Sequence, residues 1–205
     1  TFRGPNGAAL QLAAQHSQAL EAIYAHFPGL KIVTPGTPAD AKGLLKAAIR
    51  DDDPVCFFEG EMLYNLKGEV PEDDDFVIPL GVAEVKREGR DVSIITHGKM
   101  IHSALQAAER LEKDGIDAEV LDLRTLRPLD DAAITATVAK THRAVVVDEG
   151  WRSGSLSAEV AARIGEQAFY DLDSPVARVC SAEVPIPYAK HLEDAALPQV
   201  PGIVA

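Results

Sequence analysis

His16 has the strongest claim to proton chemistry in this 205-residue chain. It follows the turn-forming run Gly4-Pro5-Asn6-Gly7, stands just before an expected helix, and has Gln11, Gln15, Ser17 and Gln18 for neighbours. An imidazole on such a loop is placed to take and give a proton near neutral pH. A capping or backbone-bonded histidine fits the same position, and the spacing leaves both readings open. Arg50-Asp51-Asp52-Asp53-Pro54 is the second cluster: a tight turn after a helix could aim Asp51 and successive carbonyls at calcium, magnesium or potassium. No DxDxDG spacing accompanies it, so a solvated acidic turn explains the same residues. His26, His97, His102 and His142 fall on helices or strands, where packing or solvation accounts for them, and they are assigned no function. Cys56 and Cys180 each sit in an apolar run without a metal-ligand spacing, which reads as two buried thiols in a reducing compartment. The chain has no GxGxxG, Walker, HExxH, GxSxG or CxxC motif.

The elements that must position these residues alternate between short β-branched runs and longer amphipathic stretches, the pattern of an α/β fold with a mostly parallel sheet. Apolar spacing predicts a helix over 17–26 ended by Pro28-Gly29, a strand at 31–33, a helix opened by Pro38, and a strand at 55–58. Glycines, Pro71 and the acidic run from Glu72 to Asp75 then break every period, which marks a long loop and a domain boundary near Ile78. Strands are expected at 82–85, 92–96, 119–121, 144–147 and 176–179, and helices at 100–111, at 130–139 capped by Asp130, and at 156–164. The last 20 or so residues carry Pro185, Pro187, Pro198 and Pro201 and read as an irregular wrap without helix or strand.

Composition narrows the partners. With 20 Lys plus Arg against 32 Asp plus Glu, the net charge is -12, which argues against nucleic acid and anionic membranes. The excess is even, -6 in residues 1–79 and -6 in the rest, so no charged tail hides in the average. No apolar run approaches the roughly 20 residues of a membrane span. Thr1 and the strand-like Phe2-Arg3 suggest a chain that starts inside a domain, with apolar surface exposed where further strands would lie.

Seven strings then occur in order: RGPNG from Arg3, AAQHSQ from Ala13, PGLKIVTP from Pro28, AKGLLKAAIRDDDP from Ala41, DLRTLRPLD from Asp122, DEGW from Asp148 and PIPYAKHLE from Pro185. Together they resemble the beta subunits of pyruvate dehydrogenases along essentially the whole chain. Branched-chain 2-oxoacid dehydrogenase beta subunits look similar but fit RGPNG and YAKHLED less well.

The resemblance implies the second half of a transketolase-like pyrimidine-binding domain over residues 1–78 and a transketolase C-terminal domain over 79–205. It implies thiamine-diphosphate-dependent oxidative decarboxylation of pyruvate with reductive acetylation of lipoamide, in a heterotetramer with an alpha subunit and a second beta subunit. Magnesium and the diphosphate belong to the alpha subunit. The family's catalytic glutamate and pyrimidine-holding residues lie upstream of residue 1, so this chain is expected to hold no cofactor-binding residue and to be inactive alone. By the same resemblance His16 is a catalytic channel residue, and Ala48, Ile49, Asp51 and Asp53 fall where some members hold a structural potassium ion. Asp53 stands where others have Asn. Asp173 falls on the surface that grips the dihydrolipoyl acetyltransferase core. A truncated, non-catalytic scaffold is the contrasting expectation, and the compartment expected is bacterial cytoplasm or mitochondrial matrix.

Overall fold

The computed structural model describes residues 1–205. Three parallel strands open the chain: β1 Phe2–Asn6, β2 Lys31–Val33 and β3 Val55–Gly60. Between β1 and β2 lie two short helices, α1 Ala13–His16 and α2 Glu21–Ala25, and α3 Pro38–Arg50 connects β2 to β3. The expected helix over 17–26 is therefore shortened to Glu21–Ala25, and the separate turn Ala13–His16 precedes it. Asn6 Oδ1 accepts the Leu20 N–H at 2.7 Å and the Gln18 carbonyl accepts the Gly7 N–H at 2.8 Å, so residues 17–20 spend their polar groups closing a loop. Thr37 caps α3 by accepting the Asp40 N–H at 3.1 Å, with Pro38 at the first turn, where no N–H is needed.

The second sheet holds β4 Glu84–Arg87, β5 Val92–Thr96, β6 Ala118–Asp122, β8 Ala144–Trp151 and β9 Ala177–Ser181 in the order β4-β6-β5-β8-β9. All pairs are parallel except β4 with β6. α4 Met100–Lys113, α5 Asp131–Thr141 and α6 Leu156–Gln167 are the crossovers, and Asp130 caps α5 through the Ala133 N–H, as its sequence predicts. The strand β7 Thr125–Arg127 leaves this sheet and pairs antiparallel with β2 at the edge of the first. The two sheets thus share chain, and one buried cluster runs from Ile32 and Cys56 through Ile95 and Leu121 to Val160.

The proline-rich end is not irregular. It forms α7 Lys190–Ala196 and α8 Val200–Val204, with Pro201 in the first turn of α8, where its missing N–H costs nothing. Ile203 closes the core beneath α4. Phe76 and Ile78 pack on α3, and a Cβ at Gly43 would lie 2.6 Å from Ile78, so only glycine admits the linker there. Cys56 is buried as expected, whereas Cys180 is only half-buried. Phe2, Ile23, Tyr24 and Phe27 are exposed apolar side chains on the first unit. No helix is long and apolar enough to cross a membrane.

Candidate functional site

His16 is the last residue of α1, exposed, within a loop over 7–20 that leaves the C-terminal end of β1. The loop is strained. Gly7 has φ +77°, and Gln11 and Ala13, which carry side chains, have φ of +56° and +58°. Asn6 fastens its base from both sides, accepting from Leu20 and donating to the Glu21 carboxylate. Ser17, next to His16, is buried with a hydroxyl that finds no partner.

Beneath the loop base three buried groups meet: Glu21 from α2, His97 after β5 and Asp148 near the end of β8, each offering an atom within 4.8 Å of the others. His97 Nε2 lies 3.7 Å from Asp148 Oδ1, and its Nδ1 stands 3.5 Å from the Thr34 hydroxyl. Burial works against an imidazolium here, but Asp148, Glu21 and Asp122 outweigh it and push His97 up to about 9. Burial raises Glu21, only partly offset by His97. Asp148 is held below the usual carboxylate range: burial opposes this, and His97 with the Gly150 and Ser157 N–H groups overcomes it. The trio has a donor set a divalent cation could use, but its charge is balanced by protons and both Asp148 oxygens already accept backbone N–H groups. Sequence reasoning assigned His97 no function. Its only signal was the fall of His97 and Asp148 at the ends of two strands, which have no sequence relation until the sheet pairs them.

Next to this trio, Glu149 accepts the Ala8 N–H and pairs with Lys99 at 2.7 Å. Burial raises its carboxyl against the pull of Lys99. A second buried cluster joins the two units behind it. Asp40 of α3 meets Arg124 at 2.9 Å and Lys86 at 3.1 Å, and Asp122, fully buried, is pushed up to about 7 first by burial and then by Asp40.

The other expected residues lie elsewhere. Ala48 and Ile49 are in the last turn of α3, with Asp51 and Asp53 just beyond, at the opposite end of the first sheet from His16. Lys31 reaches Asp51 at 2.7 Å and Asp53 at 3.1 Å, and its hydrogen bond holds the Asp51 carboxyl low. The Ala48 carbonyl accepts the Thr1 hydroxyl at 2.6 Å. Asp173 lies on the surface before β9, paired with Arg143 at 3.1 Å. An open groove of about 680 Å³ is walled by Ala22, His26, Arg127, Asp131 and Arg163, and neither His16 nor the buried trio lines it.

Comparison with known proteins agrees with this layout. Residues 1–67 match the family Transketolase, pyrimidine binding domain, and residues 81–203 match Transketolase, C-terminal domain. The chain is 52% identical over 206 aligned residues to the pyruvate dehydrogenase E1 component subunit beta-1, mitochondrial, of Arabidopsis thaliana, covering 99% of this chain and 57% of that protein. It is 55% identical over 193 residues to the 2-oxoisovalerate dehydrogenase subunit beta of Bacillus subtilis, covering 93% of this chain and 59% of that one. The chain thus spans less than two thirds of the length of these relatives. A split-gene transketolase solved as an inactive beta4 tetramer superposes with a TM-score of 0.78 at 25% identity, over 98% of this chain and 63% of that one. With both domain families matched in order on the two sheets that carry His16 and the buried trio, the chain belongs to the transketolase family.

Proposed function

We propose that this chain is part of the beta subunit of a pyruvate dehydrogenase, divided near Ile78 into a pyrimidine-domain portion and a C-terminal domain. It acts with an alpha subunit and a second beta subunit in oxidative decarboxylation of pyruvate and reductive acetylation of lipoamide. The supporting observation is identity of about half, over 99% of the chain, to beta subunits of pyruvate dehydrogenase. Thiamine diphosphate would supply the carbanion-stabilising chemistry when bound. The residues present fit its reacting end: an exposed imidazole beside a buried hydroxyl without a partner. They do not fit its diphosphate end, because the loop over 7–20 contains no cationic side chain other than His16. The diphosphate and magnesium therefore fall to the alpha subunit. His16 holds or delivers a proton at the substrate carbonyl or the lipoyl thiol, and its loop excludes water from that side.

The relative named for 2-oxoisovalerate, at 55% identity, supports a second reading, a branched-chain substrate. One experiment separates them. The complete subunit, purified with the chains that accompany it, is supplied with thiamine diphosphate and magnesium, and release of carbon dioxide is followed from pyruvate and from 2-oxoisovalerate. Pyruvate should win by at least about tenfold in kcat/KM, the low end of what one methylene is worth in a shaped pocket. The opposite order would establish the branched-chain reading, and turnover of neither would leave a scaffold.

The carbonyls of Ala48 and Ile49 belong to the last turn of α3, whose end favours a cation, and we assign them to potassium. Asp51 and Asp53, already paired with Lys31, contribute field more than ligation. The same assay in choline instead of potassium should show a lower thermal midpoint, and an unchanged midpoint removes the cation. Asp173 is the proposed contact for a basic segment of the acetyltransferase core, exchanging Arg143 for that partner. Asp173→Lys should weaken core binding about tenfold or more at low salt in a pull-down titration, and wild-type affinity would remove the contact.

A further inference from the structure

We propose that Glu193, on α7, is a positioning residue for His16, and that the crevice between β5 and β8 is given over to holding the His16 loop. The role assigned to His16 rests on the reading above; the clamp on its loop does not.

An open parallel sheet binds its ligand beyond the C-terminal ends of strands, where successive connections diverge to opposite sides. In the second sheet, α4 carries the chain from β5 to β6 on one side, while β8 flanks β5 on the other. The divergence therefore falls between β5 and β8, at His97, Lys99, Asp148 and Glu149. What fills it is the main chain of residues 7 and 8. Glu149 accepts the Ala8 N–H, and Lys99 donates to the Ala8 carbonyl, so both polar groups of that residue are taken as a ligand's would be. The approach is close enough that a Cβ on Gly7 would lie 2.6 Å from Glu149 Oε2. The Ala8 side chain is buried against Ile186 and Ala196, the latter in α7.

The far part of the loop needs a second hold, because Gln11 and Ala13 both keep left-handed backbone that persists only when the surroundings impose it. Glu193 provides it. Its carboxylate is 1% exposed and accepts the Gln11 N–H at 3.0 Å, while the Tyr188 carbonyl accepts the Gln11 side chain at 3.4 Å. The nearest cation, Lys190, is exposed and 4.0 Å away, so the Gln11 amide is the one hydrogen bond the buried carboxylate makes. α7 is itself tied to the end of β9 by the Ala182 N–H on the Ala196 carbonyl at 2.8 Å. The imidazole is thus set by two carboxylates of the C-terminal domain, Glu149 at the loop base and Glu193 on Gln11, five residues before His16.

The test uses the complete subunit assembled with its partners. Glu193→Ala should lower kcat at least tenfold with less than a twofold change in KM for pyruvate, and should speed amide hydrogen exchange over residues 9–16. Glu193→Gln keeps a carbonyl acceptor for Gln11 and should return kcat to within threefold of wild type. Adding Glu193→Ala to His16→Ala should cost nothing further. Wild-type kcat and exchange in Glu193→Ala, a Gln variant no better than Ala, or losses that multiply would each overturn the proposal. A silent His16→Ala together with faster exchange in Glu193→Ala would instead sink the active-site reading of His16 and leave the clamp standing. If Glu193→Ala does not fold, Glu193→Asp withdraws the acceptor by one methylene while keeping the charge, and is judged by the same rate and exchange criteria.

Discussion

Asp148→Asn is expected to cost about 3–5 kcal/mol of unfolding free energy, the usual penalty for stranding one partner of a buried ion pair. Asp148 is 1% exposed and its carboxylate faces the His97 imidazole at 3.7 Å. Its two oxygens also accept the Gly150 N–H at 2.7 Å and the Ser157 N–H at 2.9 Å, the latter serving the first turn of α6. Asparagine keeps one acceptor and loses the charge, so His97 must either stay charged without compensation or give up its proton. At roughly 2–4 °C per kcal/mol for a chain of this size, the thermal midpoint should fall by about 6–20 °C. Urea unfolding of the two proteins at pH 7 checks the value, and equal stability would show that the pair contributes nothing.

The same pair fixes a pH dependence. His97 is raised from 6.5 to about 9 in the folded chain, so its contribution is complete below pH 6.5 and is lost as pH rises through about 9. The difference of about 2.5 units corresponds to about 3 kcal/mol. Asp122, raised from 3.8 to about 7, also takes up a proton on folding, and stability falls as pH rises across that lower window. Glu21 and Glu149, also raised by burial, take up protons on folding and add to the decline with rising pH, and the part that Asp148→Asn flattens belongs to His97.

His16→Ala should reduce turnover by about 10²–10⁴-fold, the span typical of a positioned acid or base. The residue is exposed and makes no contact that holds the fold, so assembly and thermal midpoint should stay within experimental error of wild type. The measurement is kcat for pyruvate with the lipoyl acceptor, set beside the mass of the complex. Full activity in an intact complex would remove His16 from the mechanism and leave its strained loop as architecture. His16→Gln, which keeps a hydrogen-bonding side chain without a titratable ring, distinguishes proton transfer from orientation: recovery of rate would favour orientation.

Much of the frame was legible in the sequence because its signals are local. The alternation of short strands and amphipathic helices, the Asp130 cap and the break after β3 each depend on residues within one turn or one strand. Thr125–Arg127 was missed because three residues carry no periodicity, and its only partner, β2, lies more than 90 residues earlier. α7 and α8 were missed because the prolines were read as breakers, although Pro201 occupies the one part of a helix that tolerates it. His16 could be singled out by its loop and polar neighbours. Its strain could not, since Gln11 and Ala13 are residues with no preference for a left-handed backbone.

By itself the sequence determined the α/β alternation, the order of the two domains and the family resemblance, because each is written in residues close to one another along the chain. The tertiary structure alone decided what stands around His16. Glu149 and Glu193 are 133 and 177 residues from it in sequence, and Glu21, His97 and Asp148 come from three separate elements. Only the pairing of β5 with β8 and the return of α7 bring these charges together. Burial then gives them their effect, since a carboxylate or imidazolium removed from water must find its partner within a few ångströms.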